Sequence, residues 1–317
     1  MNLVYLGSGE FGVPCLDALK ASRHTLALIV TQPANPAGRG RKPQPTPVAQ
    51  WAVAQAVPVA ETDNVNSPEM ISRIADSRPD ILVVIAFGQK IGPDVVKLAA
   101  KGAINVHASL LPRYRGAAPI NWAILRGETR TGNSIITLAE KIDAGDILAQ
   151  SETAIGPLET AGELHDRLAQ LAAPLLLETL DKIDAGIATY TPQNPAEVTY
   201  APKLHKSDGL LDFAESAEAL ALKIRGFSPW PGAAAGFVSQ QTQKTTRVVI
   251  ALAEVVSSTG TVPLPAGTFD EALNVACGKG QLKILKLKPA SSALMDFKAF
   301  LNGWRVRPGD KLVKIEE

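Results

Sequence analysis

Cysteine and histidine are scarce in this 317-residue chain: it has two of the first, Cys15 and Cys277, and four of the second. His24, His107, His165 and His205 stand far apart, and no Cys or His pair has the short spacing of a zinc site. Two cysteines make no disulfide framework, so the expectation is a protein without metal or cross-links. Long hydrophobic runs are also lacking. No apolar stretch approaches the ~20 residues that cross a bilayer, and no basic leader precedes the strand-like run at 3–6. These absences exclude a membrane span and predict a cytoplasmic location. A strong charge of either sign is missing as well, because 32 Lys and Arg face 31 Asp and Glu. The balance is uneven along the chain: residues 203–317 hold 15 basic and 11 acidic side chains, whereas residues 1–202 hold 17 and 20. The basic second part points to an anionic partner.

What is present is enough to build a core, with 46% hydrophobic and 20% charged residues. The length suits two domains. In the first part, strand-like runs at 25–31, 80–87, 102–107, 133–139 and 147–155 alternate with helical stretches at 11–21, 47–55 and 163–182. Ser67 before Pro68 reads as the N-cap of a further helix. Such alternation predicts a doubly wound α/β sheet. Residues 191–207 carry turn-forming prolines and no periodicity, and read as a linker. Beyond them come a helix at 217–224 and a rigid turn, Phe227-Ser228-Pro229-Trp230-Pro231-Gly232, expected to bury both aromatics. Short strands follow at 247–253, 273–276 and 281–287. In the last of these the apolar phase slips by one, which predicts a bulge. Short strands with glycine turns predict a small β-barrel. The pentapeptide Lys-Ile-Asp-Ala-Gly occurs at 141–145 and at 182–186, in contexts too different for a duplication.

Four stretches carry candidate chemistry. Gly7-Ser8-Gly9-Glu10-Phe11-Gly12 follows a strand and opens a helix, as a dinucleotide fingerprint does. That fingerprint also requires an acid at the end of the second strand, where this chain has Val30-Thr31-Gln32-Pro33, so a packing turn is favoured. Arg39, Arg41 and Lys42 stand in a Pro- and Gly-rich loop that can reach phosphates, although composition alone favours a solvated loop. Asn105 and His107, two apart at a strand's carboxyl end, share one face. They sit where open α/β sheets bind ligands, and an amide beside an imidazole is a donor pair suited to a developing oxyanion. Asp143 follows a different strand; it is read equally well as a turn residue before Gly145 or as a carboxylate that orients His107.

The run from Asn105 and His107 through Ser109-Leu110-Leu111-Pro112 and Tyr114-Arg115-Gly116 to Pro119, together with Asp143-Ala144-Gly145-Asp146, resembles the folate-dependent formyltransferases. The resemblance extends over nearly the whole chain, through the opening Gly7–Phe11 turn, the basic loop and the 227–231 turn. It implies a Rossmann-like catalytic domain at 1–190, a linker at 191–207, and an OB-like β-barrel at 208–317 that binds tRNA. It implies 10-formyltetrahydrofolate as the donor co-substrate and the amino group of methionine on initiator tRNA as the acceptor, with no metal, DNA or membrane involved. Asn105, His107 and Asp143 match the family's catalytic residues, His107 acting as an imidazolium kept charged by Asp143. Ser109, Leu110, Leu111 and Pro112, with Ala86, Phe87 and Gly88, match its folate-binding segments. Arg39, Arg41 and Lys42 match the part that grips the acceptor arm. The chain departs from the usual pattern at Ile142, at Phe87, and at 289–293, where a basic pair is lacking.

Overall fold

The computed structural model describes residues 1–37, 42–256 and 264–316. In chain order its elements are β1 (Asn2–Gly7), α1 (Val13–Ala21), β2 (Thr25–Thr31), β3 (Asn35–Ala37), β4 (Lys42–Gln44), α2 (Pro47–Ala54), β5 (Val59–Glu61), α3 (Pro68–Asp76), β6 (Ile81–Ile85), α4 (Pro93–Val96) and β7 (Ala103–His107). They continue with β8 (Arg115–Gly116), α5 (Pro119–Leu125), β9 (Arg130–Thr137), β10 (Ile147–Ala154), α6 (Ala161–Asp184) and β11 (Tyr200–Ala201). The last are α7 (Ala217–Gly226), β12 (Ala233–Val238), β13 (Thr245–Val256), β14 (Val275–Ala276), β15 (Gln281–Pro289), β16 (Met295–Asp296), α8 (Phe297–Trp304) and β17 (Lys311–Val313). The chain forms two compact units, one of residues 1–116, 132–153 and 165–200, the other of residues 117–131, 154–164 and 201–317.

The first unit is built on a seven-stranded sheet of order β10-β9-β7-β6-β1-β2-β5. Strands β1, β2, β5, β6 and β7 pair in parallel, and β9 runs antiparallel to β7. Covered on both faces, the central strands are almost wholly apolar; Leu3, Val4, Tyr5, Leu6 and residues 81–83 are fully buried. Each such side chain contributes about 1.5–3 kcal/mol of burial free energy. The expected cap at Ser67 is present, its hydroxyl accepting the Met70 N–H at 3.3 Å, and Thr46 caps α2 in the same way, accepting the Ala49 N–H at 3.0 Å. From β1 the chain moves outward to β2 and β5, then returns to β6 on the other side of β1. In open α/β sheets ligands bind at the carboxyl ends of the two strands where the order reverses, here β1 and β6. Strand β6 stops at Ile85, two residues short of the sequence expectation, because Ala86 takes a left-handed φ of 46°. The described parts of the Pro-rich stretch are short strands, which its composition does not suggest. On either side of residues 38–41, β3 and β4 pair antiparallel, Pro36 opposite Pro43.

The second unit contains an antiparallel sheet of order β14-β15-β13-β12-β17, with β16 on β15. Residues 267–269 connect its two edges. Gly267 N–H donates to Ala276 O at 2.7 Å and its carbonyl accepts from Leu312 N–H at 2.7 Å, giving a nearly closed barrel. The expected bulge is present. Pairing between β13 and β15 shifts register at 250–253, and the buried positions of β15 change from Leu282 and Ile284 to Leu287 and Pro289. Phe237, Phe269, Phe297 and Phe300 fill the interior, Phe237 meeting Phe300 edge-on at 5.2 Å. Two sequence expectations need correction. Of the two aromatics in the 227–232 turn only Phe227 is buried; Trp230 is 53% exposed, because the turn folds its ring outward. Strand β14 begins at Val275, since Leu273 has a φ of 59° that no strand tolerates.

Candidate active site

The carboxyl ends of β1, β6 and β7 form the rim of the first sheet. The Gly7-Ser8-Gly9 turn serves to fasten it. Ser8 N–H donates to Ala86 O at 3.3 Å, and Ser8 Oγ accepts the Gln32 N–H at 3.0 Å. Gln32 Nε2 in turn donates to Phe87 O at 2.9 Å. Ala86 and Gly88 expose their backbone at the rim in left-handed conformations, whereas the Phe87 ring enters the core. A polar side chain just after β2 thus holds the end of β6 in left-handed backbone that glycine adopts readily and most other residues do not.

On β7, Asn105 is half-buried and His107 nearly fully buried. The asparagine amide makes no hydrogen bond among the described residues, so its donors are open to the rim. The imidazole is held from two sides. Its Nε2 lies 2.9 Å from the Tyr114 carbonyl oxygen, an acceptor, so the proton resides on Nε2. Its Nδ1 faces Asp143 Oδ2 at 3.5 Å, beyond the usual length of a formed hydrogen bond. The same Oδ2 accepts the Gly116 N–H at 2.8 Å. The pair is sheltered, with the two side chains 7% and 12% exposed. Low local dielectric strengthens any charge interaction there.

Asp143 reaches this position through the turn that follows β9. Asp143 itself has a φ of 54°, a conformation that aspartate tolerates better than most residues. A Cβ at Gly145 would overlap the Thr137 carbonyl, so glycine is required for the turn to fold back against β9. The Asp146 N–H donates to Thr137 Oγ1 at 2.9 Å, and Thr137 N–H to Asp146 O at the same distance.

The segment Ser109-Leu110-Leu111-Pro112 leaves β7 and is pinned by residues that carried no sequence signal. Ser134 on β9 donates to Ser109 O at 2.6 Å and accepts the Leu111 N–H at 3.0 Å. Gln150 on β10 donates to Leu111 O at 2.9 Å and to Ser134 Oγ at 2.7 Å. Ser109 Oγ donates to Arg113 O at 2.7 Å, closing the loop on itself. The strand reading of 133–139 and 147–155 located Ser134 and Gln150, but only pairing across the sheet brings them to this loop.

The structure therefore brings Asn105, His107 and Asp143 together, with 86–88 following the neighbouring β6 and 109–112 following β7 itself. Arg39 and Arg41 lie outside the described residues, as does the side chain of Lys42. Among the described residues no group of three or more His, Cys, Asp and Glu comes together to hold a metal, and no helix is long and apolar enough to cross a membrane.

Comparison with known proteins is consistent along the chain. Residues 1–180 match the family model for formyl transferase, and residues 203–305 match the model for the formyl transferase C-terminal domain. The methionyl-tRNA formyltransferase of Moorella thermoacetica is 37% identical over 312 residues, covering 98% of this chain and 99% of that protein. The enzyme of the same name from Methylococcus capsulatus is 40% identical over 304 residues, covering 95% and 96%. Among solved structures, WlaRD, a sugar 3N-formyl transferase, superimposes with a TM-score of 0.64 at 14% identity, over 92% of this chain and 99% of that one. HypX from Aquifex aeolicus, solved with tetrahydrofolic acid, gives a TM-score of 0.62 at 17% identity, over 96% of this chain and 47% of that one. At these identities the two structures speak for the fold.

Proposed function

The chain belongs to the formyl transferase family, in its methionyl-tRNA formyltransferase branch, and from that premise we propose that it moves a formyl group from 10-formyltetrahydrofolate to the α-amino group of methionyl initiator tRNA. The observation that carries the reading is the meeting of His107 and Asp143 at the sheet rim, beside the open amide of Asn105.

The chemistry needs little more than this trio. The acceptor amine, with a reference pKa of about 8, is partly neutral near pH 7 and can attack the formyl carbon directly. A C–N bond forms, the C–N10 bond of the folate breaks, and one proton passes from the amine to N10. Negative charge develops on the formyl oxygen between these events, and the Asn105 amide donates to it. His107 has given Nε2–H to the Tyr114 carbonyl, so Nδ1 is its working nitrogen. A proton there makes the ring a cation between Asp143 and the oxygen. Asp143 has one oxygen tied to Gly116 and accepts the proton leaving the amine, returning it to N10 through water. Backbone at 86–88 and the pinned loop 109–112 are the surfaces we assign to the folate.

In this reading residues 1–190 perform the transfer, 191–207 connect, and the basic 208–317 region holds the tRNA body by its phosphates, assisted by Arg39, Arg41 and Lys42. The enzyme works in the cytoplasm, where charged initiator tRNA is used. The test is incubation with methionyl initiator tRNA and labelled 10-formyltetrahydrofolate, with glycinamide ribonucleotide as a competing acceptor. Label in formylmethionine is expected. Label on the ribonucleotide would refute the tRNA reading, and no transfer would refute both.

A further inference from the structure

We propose that residues 191–199, which the sequence marks only as a connection, form a strap that positions His107 and Asp143, with Gln193 as its central positioning residue. The inference rests on the reading above, in which that pair takes part in formyl transfer.

Three ties fasten the strap within the first unit. At its start, Thr191 and Ile147 of β10 exchange backbone hydrogen bonds of 2.9 and 2.8 Å. At its end, Thr199 Oγ1 accepts the Tyr114 N–H and Thr199 O accepts the Arg115 N–H, both at 2.9 Å. Tyr114 is the residue whose carbonyl holds His107 Nε2, and it does so from a left-handed φ of 64°. Thr199 thus fixes a conformation that tyrosine does not favour unaided.

Gln193 makes the middle tie. Its Nε2 donates to Asp143 O at 2.8 Å and to Gly145 O at 2.7 Å. Its Oε1 accepts from Arg115 Nε at 3.0 Å and from Arg115 Nη2 at 2.7 Å. All four hydrogen-bonding positions of the amide are in use. The chemistry on the two sides leaves little choice of residue. A guanidinium only donates, and carbonyl oxygens only accept, so the bridge must accept at one end and donate at the other. Carboxylates and cations each fail at one end, and an asparagine is a methylene too short. The surroundings also fix which way the amide points, because a flipped amide would set its NH2 against the guanidinium. Gln193 therefore locks the left-handed backbone at Asp143, and Arg115 links that lock to Gly116, whose N–H holds the reacting carboxylate. Neither Gln193 nor Thr199 reaches the reacting groups; both act through the loops that carry them.

The test is a double-mutant cycle on the full chain, measured by formyl transfer at saturating substrates. Gln193→Ala is expected to lower kcat about 10- to 100-fold, the scale of misplacing a catalytic group by an ångström, with both KM values within about twofold. In an Asp143→Asn background the same change should cost less than about threefold, because the group it positions is already disabled. Gln193→Glu, which keeps the Arg115 pair and loses both donations, should match the alanine variant in turnover while melting within a few degrees of the parent. It keeps the test decisive if the alanine variant fails to fold. An undiminished loss in the Asp143→Asn background, or an effect on KM alone, overturns the strap. An inactive parent, or an Asp143→Asn variant with full activity, overturns the catalytic reading and the strap with it. An active parent, a crippled Asp143→Asn variant and a fully active Gln193→Glu variant overturn the strap alone.

Discussion

His107 Nδ1 and Asp143 Oδ2 face each other at 3.5 Å, although β8, α5 and β9 separate the two residues along the chain. β9 runs antiparallel to β7 and ends beside its start, Thr137 opposite Ile104, so it is the 138–146 segment, folded back on Thr137, that carries Asp143 to the imidazole. A carboxylate that the sequence reads equally well as a turn residue becomes the partner of an imidazole.

The amide of Asn105 is the group we assign to the developing oxyanion. Asn105→Ala should lower turnover about 10²–10³-fold with little change in melting temperature, since the amide makes no hydrogen bond among the described residues. Steady-state kinetics at saturating donor and acceptor measure this. Near-normal turnover would remove Asn105 from the mechanism.

Ser134 supports the loop at 109–112 and is fully buried. Ser134→Ala leaves the Leu111 N–H without its acceptor, at a cost of about 1–3 kcal/mol. The melting temperature should fall by several degrees and the KM for the folate donor should rise more than kcat falls. Thermal unfolding and donor titration together check it; a variant unchanged in both would mean the loop is held by other contacts.

Neutralising Arg39, Arg41 and Lys42 together should weaken use of the tRNA and leave donor affinity unchanged. Each lost phosphate contact reduces the slope of log affinity against log salt by about 0.7–0.9. Binding isotherms at several salt concentrations report the slope, and an unaltered slope in the triple variant would place the tRNA elsewhere.

Both cysteines should be inert in the folded protein. Burial pushes the Cys15 thiol up to about 12, and burial does the same to Cys277, so neither is a thiolate near pH 8. A thiol reagent should label the native chain negligibly and the denatured chain twice. Stoichiometric labelling of native protein at the denatured rate would contradict the packing around them.

What the sequence determines here is local. Strand and helix periods, the caps at Thr46 and Ser67 and the slip in β15 are relations between residues a few positions apart, and backbone geometry converts them directly into structure. The Asn105–His107 face belongs to the same class, because residues two apart on a strand always share a side. Tertiary structure decides which strands become neighbours and how the connections between them fold back. That choice brings Asp143 to His107, places Ser134 and Gln150 under the 109–112 loop, and turns an aperiodic connection into a strap held by Gln193. Most of these side chains bind backbone carbonyls and N–H groups. Every residue has such groups, so no pattern of residue types announces the contact; it exists only once the whole sheet has packed.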